Sequence, residues 1–156
     1  MRICSRGLDF TLRLLAADKH KMNADSERLT EQVIGAAFEV SNQLGAGFLE
    51  RVYERALLCE LRLRGIKAQG QVCLPVAYKG ELVGDYCVDL LVEDVLLVEL
   101  KCVRELASEH MAQCLNYLKA SGHELCLLFN FQKPRVECKR VVVSHNLRPL
   151  AADEHG

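Results

Sequence analysis

A chain of 156 residues, half of them apolar, is the usual size of one domain and is long enough to bury a core, which argues against several independent domains. Charged residues make up 26% and the net charge is −1, so no molecule-wide field exists to gather nucleic acid or an acidic membrane, and any polyanion site has to be local. The apolar runs fall far short of the ~20 residues a membrane span needs, and a soluble, cytoplasmic protein with no membrane partner is expected. The eight cysteines lie inside apolar, periodic segments, contain no CxxC pair and follow no secretory signal. They read as reduced, buried thiols rather than as a disulfide framework.

Residues 1–21 differ in character from the rest, with five Arg/Lys against two Asp/Glu; without them the net charge is −4. Residues 1–24 are therefore expected to form an N-terminal extension, either poorly ordered or lying ahead of a true start at Met22. An organellar presequence is a third reading, against which Asp9 and Asp18 speak. A single folded domain is expected over 25–145 and a loose tail over 146–156.

Asp25 or Ser26 can cap a first helix, in which Val33, Ile34, Ala37, Phe38 and Leu44 recur at helical spacing and which Gly45 and Gly47 end. A second helix is expected over 48–64, with Leu49, Val52, Tyr53, Ala56, Leu57 and Leu61 as its inner stripe and Gly65 as its stop. The period then becomes that of strands: 72–78, a Lys79-Gly80 turn, 82–92, a Glu93-Asp94 turn and 95–101, an antiparallel meander. Helical spacing returns over 106–120 through Ala107, Met111, Cys114, Leu115 and Leu118. Strands at 125–131 and 136–143 close the domain. The order ααβββαββ predicts an α/β fold of the α+β kind, a central mixed sheet flanked by helices.

Strand residues two apart share a face, so Glu99 and Lys101 project together while Leu96, Val98 and Leu100 point the other way. The preceding strand brings Asp89 back beside them, but only in one register. A two-residue turn at Glu93-Asp94 sets Asp89 opposite Val98. A three-residue loop over 93–95, or a bulge near Asp89, aligns it with Glu99. The odd loop or the bulge is expected. Two carboxylates so placed repel by about 4 kcal/mol at a separation of ~4 Å and an effective dielectric near 20. Mg²⁺, or Mn²⁺ in its place, neutralises them, taking Asp89, Glu99 and a backbone carbonyl such as that of Leu100 plus waters. Lys101 is then placed to orient an attacking water or to offset charge on a scissile phosphate. A strand carrying Asp, Glu and Lys is also what a solvated sheet face looks like.

Two helices add polar groups. Glu50 stands in the first turn of the second helix, with Tyr53 and Leu57 three and seven positions on, at the edge of the buried stripe. On the third helix Gln113 and Tyr117 are four apart and share a face. A helix-favourable first-turn acid and an ordinary polar flank are the plainer accounts of Glu50 and Gln113. Arg51, Arg55, Arg62, Arg64 and Lys67 make the second helix basic, either as a solvated outer face or as a track for a phosphate backbone. His110 and Cys114 have the spacing of a zinc half-site, but no second pair matches it, and neither zinc nor an iron–sulfur cluster is expected.

Taken in order, Leu44-Gly45-Ala46-Gly47-Phe48-Leu49-Glu50-Arg51-Val52-Tyr53, Asp89, Val98-Glu99-Leu100-Lys101 and Gln113-Cys114-Leu115-Asn116-Tyr117-Leu118 form a more specific pattern than any one of them. From about Leu29 to Val143 the chain resembles the GxxExxY proteins, a branch of the PD-(D/E)xK nuclease superfamily with a restriction-endonuclease-like core. The resemblance implies metal binding by Asp89 and Glu99, catalytic assistance by Lys101, a helix carboxylate from Glu50, and a Q-x3-Y element from Gln113 and Tyr117. It departs at Ala46, where such proteins often carry proline, and at Ser41, where histidine is common. The implied activity is metal-dependent hydrolysis of nucleic acid, with DNA favoured over RNA as the substrate. The alternative is a catalytically silent module that binds nucleic acid or a protein partner. A homodimer or a separate protein partner is a further source of specificity.

Overall fold

The computed structural model describes residues 5–143, with side chains from residue 24 onward. The first four residues, Cys4 among them, and the expected tail over 146–156 lie outside the described residues. The elements run α1 (Ser5–Leu44), α2 (Glu50–Leu63), β1 (Ala68–Tyr78), β2 (Glu81–Val92), β3 (Leu96–Lys101), α3 (Ser108–Ser121), β4 (Leu125–Asn130) and β5 (Glu137–Val142). By contacts the chain divides into two compact units, one ending at Gln32 and one beginning at Val33. α1 starts well before the expected cap at Asp25 or Ser26, because no proline interrupts the stretch from Ser5. The Ser26 carbonyl accepts a bond from the Thr30 hydroxyl at 2.7 Å, as inside a helix. α1 ends where Gly45 and Gly47 take φ of +68° and +110°, a region that favours residues without Cβ.

The second unit is built on one five-stranded sheet in the order β1-β2-β3-β4-β5. Its pairs are antiparallel except β3–β4, which are parallel. Parallel neighbours need a crossover, and α3 supplies it. This is the mixed α/β arrangement expected from the element order.

β3 is buried along almost its whole length. Leu97 packs with Cys126, Leu128, Cys114, Tyr117 and Leu118 in the core beneath α3. Leu96, Val98 and Leu100, on the other face, are fully or nearly fully buried. Tyr53, Leu57 and Leu61 are the buried residues of α2, and the Tyr53 ring stacks on Phe131 with centroids 4.6 Å apart. Buried Ser41 holds the β5 approach by accepting the Val136 N–H on its Oγ at 3.2 Å.

Three expectations are corrected here. Leu49 and Val52 are exposed: Leu49 is the extended residue ahead of α2, and the stripe is the narrower 53, 57, 61 row. β1 starts at Ala68, four residues earlier than its apolar alternation suggests. The cysteines are not all buried thiols either: Cys73 and Cys87 are exposed and joined in a disulfide, and Cys59 is exposed. Both bridged residues sit in strands, as their apolar surroundings suggest, but they are direct partners in the β1–β2 register, which brings their Cα atoms to 4.1 Å. That facing is a property of the pairing and is invisible in the spacing of one strand.

Candidate active site

The site begins with a loop of odd length. Glu93 and Asp94 take φ of +50° and +59°, and the Val95 N–H returns to the Val92 carbonyl at 3.1 Å. The three-residue loop 93–95 then sets the pairs Val92↔Leu96, Leu91↔Leu97 and Leu90↔Val98. The next pair in this register is Asp89 with Glu99, as the sequence argument requires. The ladder stops there, and the Asp89 Oδ2 accepts the Leu100 N–H at 2.7 Å where a strand partner would otherwise stand. The N–H and C=O of one strand residue point to the same edge. The Leu100 carbonyl therefore faces the edge that β2 has left, whereas the Lys101 carbonyl turns the other way and accepts the Phe131 N–H at 2.9 Å.

Glu99 is 3% exposed. Its Oε1 lies 3.1 Å from the Lys101 Nζ, while its Oε2 is buried with no hydrogen-bond partner. Burial, and then the neighbouring Asp89 carboxylate, push its pKa up to about 7 against the opposing pull of Lys101. Burial alone lowers the pKa of Lys101, but Glu99, Glu50 and Asp89 together hold it above the ordinary lysine value, so the amine stays charged. A buried carboxylate oxygen without a donor is costly, and a cation is the group that satisfies it.

Glu50 reaches the site from α2. Gly47, Glu50 and Tyr53 work as one local device. Gly47 allows the chain to turn at φ +110°, and the Tyr53 hydroxyl donates to the Gly45 carbonyl at 2.6 Å and accepts from the Phe48 N–H at 3.2 Å. The first turn of α2 is thus pinned, and the Glu50 Oε2 accepts the Cys102 N–H at 3.2 Å, just past the end of β3. Burial raises its pKa, Lys101 opposes the rise and Asp89 adds to it. One turn on, Glu54 and Asp89 are bridged by Gln71, whose Nε2 donates to Glu54 Oε2 at 2.9 Å and to Asp89 Oδ1 at 3.2 Å.

On α3 the Gln113 Nε2 donates to the Tyr117 hydroxyl at 2.7 Å, and the Tyr117 ring meets Tyr86 edge-on at 5.8 Å. Burial, Glu99 and Asp89 all raise the Tyr117 pKa, so its hydroxyl remains a proton donor beside the acids. Gln113 is hydrogen-bonded to Tyr117, not to the acids, among the described residues. His110 accepts the Ala107 N–H on Nδ1 at the start of α3, and Cys114 is wholly buried in the core.

Glu50, Asp89, Glu99, Lys101 and the Leu100 backbone therefore meet at the end of β3, with Tyr53 and Tyr117 as supports. Sequence reading missed Glu54 and Gln71. The spacing of Glu50 and Glu54 by one helical turn was the available signal for the first; Gln71, at φ +52° in an irregular stretch of β1, carried none. It missed Asn130 as well, fully buried, which accepts the Val103 N–H at 3.1 Å and donates to the Val103 carbonyl at 2.8 Å, fixing the exit of β3.

A family model of the PD-(D/E)XK nuclease superfamily matches residues 27–141. The chain belongs to the PD-(D/E)XK nuclease superfamily. Solved structures are similar only at a distance. One, described as the crystal structure of SSO0001, is 16% identical with a TM-score of 0.48 over 59% of this chain and 48% of that one, so the chain spans about half its length. An alkaline exonuclease, LHK-Exo from Laribacter hongkongensis, is 14% identical with a TM-score of 0.42 over 69% of this chain and 76% of that one. The same enzyme in complex with dAMP gives 14% and 0.44 over 71% and 78%. No curated protein matches the chain.

Proposed function

We propose that residues 25–145 form a PD-(D/E)XK domain that hydrolyses phosphodiester bonds of nucleic acid, DNA in preference to RNA, with Mg²⁺ or Mn²⁺ held by Asp89, Glu99 and the Leu100 carbonyl. The observation that carries this reading is the buried, partnerless Oε2 of Glu99 beside a second carboxylate. Among the described residues no three His, Cys, Asp or Glu side chains close around one point. Two acids and a main-chain carbonyl on an unpaired edge are the donor set that a hard cation with retained waters takes. When bound, the ion supplies charge to the phosphate oxygens and makes a water more acidic.

The chain's own groups do the rest. Lys101, charged and 3.1 Å from Glu99, donates to the attacking water or to a phosphate oxygen and offsets the negative charge that develops. Its raised pKa makes it a poor base, so the proton of the water passes to another acceptor, a carboxylate of the site or solvent. Glu50, anchored on the Cys102 N–H, fixes the negative potential on the α2 side. Gln113 and Tyr117 border the α3 side and exclude water.

The family supports nucleic acid as partner. No helix among the described residues is long and apolar enough to cross a membrane. We place the protein in the cytoplasm, where the free cysteines at 59, 102, 114, 126 and 138 stay reduced and the exposed Cys73–Cys87 bridge is open to reduction.

The test is cleavage of single- and double-stranded DNA and RNA with Mg²⁺, Mn²⁺ or EDTA. Metal-dependent cleavage that falls by about 10²–10³-fold in both Lys101→Ala and Glu99→Ala is the expected outcome. Binding without cleavage on every substrate would favour a silent nuclease-fold module instead.

A further inference from the structure

We propose that the groove between α2 and β1 is a separate, non-catalytic site that holds the phosphate backbone of a DNA strand and leads it to the acids at the end of β3. The groove has a volume of about 590 Å³ and is lined by Arg55, Leu58, Arg62, Ile66, Lys67 and Gly70, among others. It carries three cations and no acid in its walls. Arg55, Leu58 and Arg62 follow one another at spacings of three and four, on a single face of α2.

These cations are free to act. Among the described residues Arg55 has no ion-pair partner, and the guanidinium of Arg62 reaches only the Cys59 sulfur at 3.7 Å. Lys67 is 3.7 Å from Asp94, but both side chains are about two-thirds exposed, so water screens the pair and a phosphate can displace it. Arg55 and Arg62 are seven residues apart, about 10 Å along the helix at ~1.5 Å per residue. Two guanidinia so far apart reach different phosphates of a strand rather than the same one. Charges so spread fit a strand better than a single phosphate.

The floor of the groove connects it to the acids. A Cβ at Gly70 would lie 3.0 Å from the Leu58 Cδ1, 3.4 Å from the Glu54 Oε1 and 3.8 Å from the Asp89 carbonyl. Gly70 therefore sits at once in the groove wall and against the Glu54–Gln71–Asp89 bridge. A backbone entering beside Arg62 and passing Arg55 runs toward Glu54, which Gln71 links to the Asp89 carboxylate. The local cluster also explains how a chain of net charge −1 can hold a polyanion at all. The choice of DNA as the polyanion rests on the proposed function; the groove itself does not.

The experiment is fluorescence anisotropy of a short labelled DNA duplex with the full chain in EDTA, between about 50 and 200 mM KCl, so that no cleavage intervenes. The proteins are the native chain, Arg55→Gln/Arg62→Gln, and Lys101→Ala. Removing two phosphate contacts should lower the slope of log affinity against log salt by about 2 and weaken binding at least about tenfold at the lowest salt. The melting temperature should be unchanged, since both arginines are exposed. Lys101→Ala, which removes at most one phosphate contact, should lower the slope by no more than about 1. Native affinity and slope in the double variant, or no duplex binding by the native chain, would overturn the proposal. Release of the duplex by inorganic phosphate at matched ionic strength would also overturn it, in favour of a single-anion pocket. Loss of cleavage alone, with the groove's salt dependence intact, would count only against the nuclease reading.

Discussion

At the scale of single residues, Glu99 concentrates the chemistry. It is nearly inaccessible, one oxygen is paired with Lys101 and the other has no hydrogen-bond partner. The folded protein holds the Glu99 proton up to about pH 7, whereas an unfolded glutamate releases it near 4.5. Between those values the folded state binds more protons, so stability falls as pH rises through the window. Glu99→Gln removes this loss. In EDTA at pH 8 the variant should be more stable than the native chain by about 1–3 kcal/mol, with the difference vanishing only as the pH falls below about 4.5, as urea unfolding on both sides of the window will measure. An unchanged pH dependence in the variant would mean that Glu99 ionises freely and needs no cation. The pairing of Glu99 with Lys101 was legible in the sequence, since strand parity puts residues two apart on one face. The depth of their burial was not, because it depends on α3 packing over that face.

At the scale of elements, the α1–α2 corner and the β1–β2 ribbon each position part of the site. Tyr53 ties the corner through its hydroxyl while its ring rests on Phe131. Tyr53→Phe keeps the stacking and removes the tie, leaving the Gly45 carbonyl and the Phe48 N–H to water. A loss of about 1 kcal/mol in stability is expected. Cleavage should fall as Glu50 loosens, while DNA affinity in EDTA is kept; an unchanged rate would show that the corner does not hold Glu50 for catalysis. The ribbon is cross-linked by Cys73 and Cys87, 14 residues apart. Closing a loop of this length contributes up to about 3 kcal/mol. Reductant should therefore lower the melting temperature of the native chain and leave Cys73→Ser unaffected. Cleavage should survive reduction, because Asp89 is anchored independently on the Leu100 N–H. The helices, strands and turn glycines were readable from periodicity; the bridge was not, since it needs the register of two strands at once.

At the scale of the whole molecule, a site built of repelling acids is a liability of the metal-free fold and a source of stability once filled. A cation that binds only the folded state stabilises it by about 2.7 kcal/mol at a hundredfold excess over its Kd. Thermal melts with Mn²⁺ should therefore lie above those in EDTA for the native chain, and the two should coincide for Glu99→Ala. Such a shift surviving in Glu99→Ala would place the ion elsewhere. The sequence by itself determined the mixed α/β class, the order of elements, the shared face of Glu99 and Lys101, and the need for an odd loop to bring Asp89 alongside. These follow from periods of 2 and 3.6 and from turn chemistry, which are local. Only the tertiary structure decided the parallel pairing of β3 with β4, the facing of Cys73 and Cys87, the Gln71 bridge and the groove between α2 and β1. Each depends on which segments lie side by side. Pairing and packing join residues far apart in the chain, and no local period records them.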